Sequence, residues 1–288
     1  MFKKIRKPAV SGQFYPSDPK VLRDEIEKLF LSKIGPGRLP SVASTFSGDL
    51  VGVVSPHAGY MYSGSVAAHG IFALSASGKP EVIFILGPNH HGLGDPLALS
   101  GCEAWETPLG LVPVDLEVSK KLVEKTGILS FNDTAHMYEH SIEVQLPLLQ
   151  YVFSSEFKIV PISMMLQNPE ASRIIGESIA SLILDKGLKA YIIASSDFSH
   201  YVEANIAKEK DDIAISRIMN LDYKGLYDVV IEYDISMCGP GPVMALIVAA
   251  KRLGVTKGTL LRYASSGDIT GDYSSVVAYA SIAFYKET

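Results

Sequence analysis

Cysteine is scarce in this chain. Only Cys102 and Cys238 occur in 288 residues, enough for one bridge and too few for the disulfide framework of a small secreted domain. No apolar run reaches the roughly 20 residues that a membrane-spanning helix needs. The basic start, Met1 to Pro8, has no apolar signal core behind it. Excess charge is also small. A net charge of -5 gives no reason to expect nucleic acid or an anionic membrane as partner. Several familiar signatures are missing: an H-E-x-x-H helix, a C-x-x-C knuckle, a phosphate-binding P-loop, and a G-x-G-x-x-G turn after a strand. These absences leave a soluble cytoplasmic protein as the expectation.

What is present is a large core. The chain is 47% hydrophobic and 20% charged, which argues against disorder. Apolar runs at 50–54, 82–86, 157–164 and 189–194 read as strands covered on both faces. Helical spacing predicts helices after Asp18-Pro19 and over 63–74, 115–125, 139–150, 169–184, 204–221, 223–231 and 239–253. Residues 93–113 read as short strands and turns. Two final strands, 260–264 and 275–284, are expected to pair antiparallel. The alternation favours one α/β domain over residues 1–288, a three-layer αβα arrangement with a mixed, mostly parallel central sheet.

Four polar clusters interrupt or end these runs. They are Ser55-Pro56-His57-Ala58-Gly59-Tyr60, Gly87-Pro88-Asn89-His90-His91-Gly92, Ser195-Ser196-Asp197-Phe198-Ser199-His200 and Cys238-Gly239-Pro240-Gly241-Pro242. Three directly follow strands, where open α/β sheets bind ligands. His, Cys and Asp also bind transition metals and move protons near neutral pH.

His57 is a candidate ligand among small neighbours. Adjacent His90 and His91 rarely point the same way, so one is expected to ligate and the other to support; spacing does not choose between them. Asp197 and His200 form a D-x-x-H pair in which His200 could serve as acid or base and Asp197 could orient it or bind metal. Helix capping by the Ser-Ser-Asp run is the competing reading. Cys238 precedes a helix, whose N-terminal dipole favours thiolate, although a free cysteine is more often a small buried hydrophobe. His140 and Glu143 would share a helical face at i, i+3 and support the site or touch substrate. Tyr60 could line the pocket or pack in the core.

Taken together, the chain resembles the Memo family, whose bacterial and archaeal members are called AmmeMemoRadiSam system protein B. The resemblance runs nearly end to end. It rests on Ser11-Gly12-Gln13-Phe14-Tyr15-Pro16, Pro56-His57-Ala58-Gly59-Tyr60, Leu86-Gly87-Pro88-Asn89-His90-His91, Glu139-His140-Ser141-Ile142-Glu143, Ser195-Ser196-Asp197-Phe198-Ser199-His200 and Cys238-Gly239. It implies a fold similar to LigB-type class III extradiol dioxygenases, which hold Fe(II) with two histidines and a glutamate. By that likeness His57 and His90 match the two histidine ligands. Cys238 stands where the dioxygenases have a carboxylate, and His200 matches the acid/base histidine, with Asp197 beside it.

The cysteine departs from that pattern. A thiolate is softer than a carboxylate and is itself oxidisable. Fe(II) or copper is the expected cofactor, with zinc a weaker match, or none if the site is vestigial. Two functions follow from different classes. One is a metal-dependent oxidoreductase. The other is a non-catalytic adaptor whose cleft takes a small molecule or peptide. The family name also implies AMMECR-type and radical SAM proteins as partners.

Overall fold

The computed structural model describes residues 2–287. Its centre is a nine-stranded sheet. Four strands form the parallel heart, in the spatial order Leu50–Ser55, Ala190–Ser195, Val82–Pro88, Lys158–Met164. Every residue of the first three is buried. Antiparallel strands flank this heart. Val276–Lys286 pairs with Leu50–Ser55 on one side and with Val255–Ser265 on the other. Leu97–Leu99 runs against Lys158–Met164 at the opposite edge.

Period-two alternation sends neighbouring side chains to opposite faces. Phe84 and Leu86 pack with Val160, Ile192 and Ala194 against the helices Pro169–Lys186, Ala204–Met219 and Pro240–Arg252. Ile83 and Ile85 pack with Val53, Tyr191 and Ile193 against Pro19–Leu31, Ser65–Ala76 and Gln145–Phe153. The result is the expected three-layer αβα fold. Among the described residues no helix is long and apolar enough to cross a membrane.

Asp18 caps the first helix, its carboxylate accepting from the amides of Lys20 and Val21, with Pro19 opening the helix. Two expectations need correction. The helix expected from Ser63 begins at Ser65, after a wide turn over Tyr60–Gly64. The helix expected over 139–150 is regular only over Gln145–Phe153. Pro147 therefore falls in its first turn, where its missing N–H costs nothing. Residues 141–144 form a turn, and its one carboxylate, Glu143, is drawn to distant partners. A small second sheet joins Ile5–Arg6, Ala104–Thr107 and Gly110–Pro113, and ties the N-terminus to the 93–113 region.

Candidate metal centre

The strand ends at Ser55, Pro88 and Ser195 bring three of the polar clusters together at the carboxyl edge of the sheet. His57 is buried there. Its backbone amide donates to Asp197 Oδ1 at 2.8 Å, and its Nδ1 lies 2.8 Å from Ser195 Oγ. The protonation of this ring follows from its partners. Ser195 donates its one hydroxyl proton to the Ser141 carbonyl at 2.7 Å and accepts from Gln145 Nε2 at 3.0 Å. Toward His57 it must therefore accept. The proton sits on Nδ1, and Nε2 carries a bare lone pair. Gln145 is itself fixed, since its amide also donates to the Pro56 carbonyl and its oxygen accepts from Ser55.

His90 is arranged the same way by a different group. Glu139 accepts the His90 backbone amide at 2.6 Å on one oxygen and His90 Nδ1 at 2.9 Å on the other. The second oxygen also takes the amides of His140 and Ser141. Burial raises the Glu139 carboxyl pKa, but the His90 hydrogen bond and the nearby His90 and His140 rings outweigh it. The carboxyl is held well below its usual range. An ionised carboxylate can only accept, so His90 also carries a proton on Nδ1, and Nε2 is the nitrogen left to face a ligand.

His140 completes the group. Its ring stacks on His90 with centroids 4.5 Å apart, and His57 stands edge-on to both, at 5.2 Å from His90 and 5.4 Å from His140. A ring nitrogen from each of His57, His90 and His140 lies within 4.8 Å of the other two. Burial, then the neighbouring His140 and His90, push the His57 pKa well below its ordinary value. Burial likewise lowers His140 to about 4. Both rings are neutral at pH 7, the form that ligates metal.

Glycine allows this approach. A Cβ on Gly87 would meet Ser141 Oγ at 2.3 Å, so only glycine lets the turn carrying Glu139 and His140 lie against the strand that delivers His90.

Cys238 lies against His57. Its Sγ is 3.2 Å from His57 Nε2 and accepts the Asp197 amide at 3.2 Å. With Nε2 bare, the S–H points at it. Burial, then the Asp197 carboxyl, push the Cys238 thiol up. Of the two readings the sequence allows for this cysteine, helix-terminal thiolate and small buried side chain, burial favours the thiol in the metal-free protein. Gly239 makes its loop possible, since a Cβ there would meet the Ser195 carbonyl at 2.5 Å.

Asp197 is buried and turned toward the backbone of His57. Burial raises its carboxyl to about 6. His200 is oriented instead by Ser236, whose carbonyl accepts from Nδ1 at 2.7 Å and whose hydroxyl accepts the His200 amide at 2.7 Å. The D-x-x-H spacing thus puts both residues at one strand end without pairing their side chains. His200 Nε2 is the ring nitrogen that Ser236 leaves free.

Three further candidates lie around the cluster, and for one of them, Glu143, the expected helical face is not formed. Glu143 is fully buried. It pairs with Arg6 and accepts from the amides of Ala9 and Val10 and the Tyr15 hydroxyl. It anchors the N-terminal segment, and does not share a face with His140 because residues 141–144 are a turn. Tyr60 is 1% exposed, donates to the Val144 carbonyl and packs on Tyr15, which places it in the core. His91 is exposed beside Tyr138, and one of its ring nitrogens lies near Glu139 and His140. Sequence reasoning missed the orienting roles of Glu139, Ser195 and Gln145. The only signal was their polarity inside apolar surroundings.

This constellation can be set beside known proteins. A family model described as Memo-like protein matches residues 6–283. The chain belongs to the Memo family. Among its Memo-family relatives is a MEMO1 family protein of Methanopyrus kandleri, 49% identical over 98% of this chain and 99% of that protein. Another, from Sulfolobus acidocaldarius, is 49% identical over 97% and 99%. One from Methanothermobacter thermautotrophicus is 47% identical over 97% of this chain and 100% of the relative. Among solved structures, an uncharacterized Escherichia coli K12 protein is similar at a TM-score of 0.49 and 14% identity, covering 71% of this chain and 86% of that one. Within this Memo chain, His57 and His90 come together as the family resemblance implies. His140 joins them, and Cys238 touches His57.

Proposed function

We propose that this Memo-family protein is a metal-dependent oxidoreductase with one Fe(II) or copper ion at the histidine cluster. One observation carries the reading. The Nδ1 atoms of His57 and His90 are both committed to fixed acceptors, which leaves the two Nε2 atoms as the ring nitrogens available to a metal. Metal-bound histidines are held in this way, by a hydrogen bond from the other ring nitrogen.

The donor set fits a transition metal. Nitrogen and sulfur donors suit iron, copper and zinc better than magnesium or calcium, which prefer oxygen. His57 and His90 are the fixed donors. His140 closes a nitrogen face, and Cys238 Sγ stands beside His57 as a further donor. A bound Fe(II) or copper ion would supply one-electron chemistry and open positions for a small molecule. Asp197 holds the His57 backbone, and His200, with Nδ1 held by Ser236, offers Nε2 for proton transfer.

The test is anaerobic titration of metal-free protein with Fe(II) and with Cu(I), bound metal being counted by elemental analysis. One equivalent is expected, lost in His57→Ala and His90→Ala and weakened in Cys238→Ala. Oxygen consumption with reductants of graded potential then tests turnover. Absence of stoichiometric binding by the wild type overturns the reading and leaves a metal-free cleft for a small molecule or peptide.

A further inference from the structure

Beside the histidine cluster is a cavity of about 430 Å³, within the size range of small-molecule sites. Two of its lining residues tie it to the centre: Ala58 follows His57, and Tyr201 follows His200. Three tyrosines, Tyr62, Tyr201 and Tyr279, supply aromatic surface, and Asp272 supplies a carboxylate. None of the lining residues is lysine, arginine or histidine.

Two features set this cavity apart. Tyr279 is 2% exposed as a residue and lines the cavity together with Tyr62 and Tyr201. Its ring is held by the core, so it presents a fixed aromatic surface to a ligand. Tyr201 is held at φ +58°, a left-handed conformation unusual for a tyrosine, with its side chain 79% exposed beside His200. Such strain persists at ligand sites because surrounding structure holds it.

Charge then selects the ligand class. Asp272 keeps its carboxylate ionised, because the Ser274 hydroxyl and amide donate to Oδ1 and lower its pKa. Aromatic faces with a nearby carboxylate attract an organic cation. An anion would meet Asp272 with no cation to offset it. We propose that this cavity binds small aromatic or alkyl ammonium compounds, the ammonium group lying between Tyr62, Tyr201 and Asp272 and the Tyr279 ring giving the rest of the ligand a fixed aromatic surface. As a substrate pocket of the metal centre it rests on the function proposed above; as an ammonium site it stands alone.

Calorimetry on the full chain, with phenethylamine and phenylacetate as probes at pH 7.5, tests it. Metal-free wild type is expected to bind the amine at least tenfold more tightly than the carboxylate. Asp272→Asn keeps the Ser274 contacts and is expected to bring that ratio within about threefold. Tyr201→Gly, which relieves the backbone, is expected to weaken the amine about fivefold. Equal or reversed preference, no binding of either probe by the wild type, or an unchanged ratio in Asp272→Asn overturns the proposal. The same titration on Co(II)-loaded protein separates the two claims. A shift of the cobalt visible spectrum on amine binding supports the pocket as part of the centre, and an unshifted spectrum with intact binding refutes that link alone. Amine preference in a protein that takes up no metal leaves the pocket standing and removes the metal reading.

Discussion

Glu139→Gln tests the centre at the point where its geometry is most constrained. The wild-type carboxylate accepts four N–H groups: the His90 amide on one oxygen, and His90 Nδ1 with the His140 and Ser141 amides on the other. Glutamine has the same shape but one acceptor. Its best placement keeps the carbonyl oxygen toward His90 Nδ1, His140 and Ser141. The amide nitrogen then faces the His90 N–H across what was a 2.6 Å contact, donor against donor. A hydrogen bond to a charged group contributes about 1.5–3 kcal/mol, and leaving a buried donor unpaired costs more than the bond alone. The expected loss of stability is about 2–4 kcal/mol.

Metal affinity should fall as well, by roughly 10–100-fold, because His90 loses the acceptor that orients it. The pH dependence gives an independent check. A carboxyl whose folded pKa is depressed contributes stability above its unfolded pKa, about 4.3, and loses that contribution as pH falls toward the folded value. The stability gap between wild type and variant should therefore be flat from pH 5 to 7 and shrink below about pH 4. Urea denaturation across this range and competitive chelator titration measure the two effects. A variant that keeps wild-type metal affinity would refute the assignment of His90 as a Glu139-oriented ligand. A gap that widens in acid would refute the charge argument.

Other substitutions probe different supports of the site. Arg6→Met removes the partner of Glu143 in a pair that is nearly inaccessible to solvent, 5% and 0% exposed. Breaking such a pair from one side should cost about 3–5 kcal/mol in urea denaturation. Gly87→Ala forces a methyl against Ser141, so about 1–3 kcal/mol of overpacking strain is expected, with weaker metal binding in a protein that still folds. Asp211 is fully buried, and burial raises its carboxyl from 3.8 to about 6 while Ser199 and Tyr263 donate to it. A raised carboxyl favours folding most below its unfolded pKa and loses that contribution as pH rises through 6. The two-unit shift corresponds to about 3 kcal/mol. Asp211→Asn should flatten the stability profile between pH 4 and 6.5, and a profile as steep as wild type would refute this.

The sequence made one half of the site legible and hid the other, and the division has a physical cause. Ligand candidates at strand ends are visible because the strands are continuous apolar runs and the change to Pro-His, Asn-His or Ser-Asp is abrupt. His57, His90, Asp197 and His200 were found in this way. The groups that orient them sit inside apolar or periodic stretches, where polarity has many readings. His140 and Glu143 read as one helix face because i, i+3 spacing is a helical signal. Yet Glu143 is bound to Arg6, Ala9 and Val10, 133 to 137 positions away, while Glu139 is bound to His90, 49 away. Side chain to backbone hydrogen bonds of this kind compete with helix formation. Local periodicity contains no term for them. The turn that breaks the helix is also what aims Glu139 at His90 and puts His140 beside it. A regular helix over 139–144 would have satisfied the sequence pattern and left the His57 and His90 rings without their neighbour.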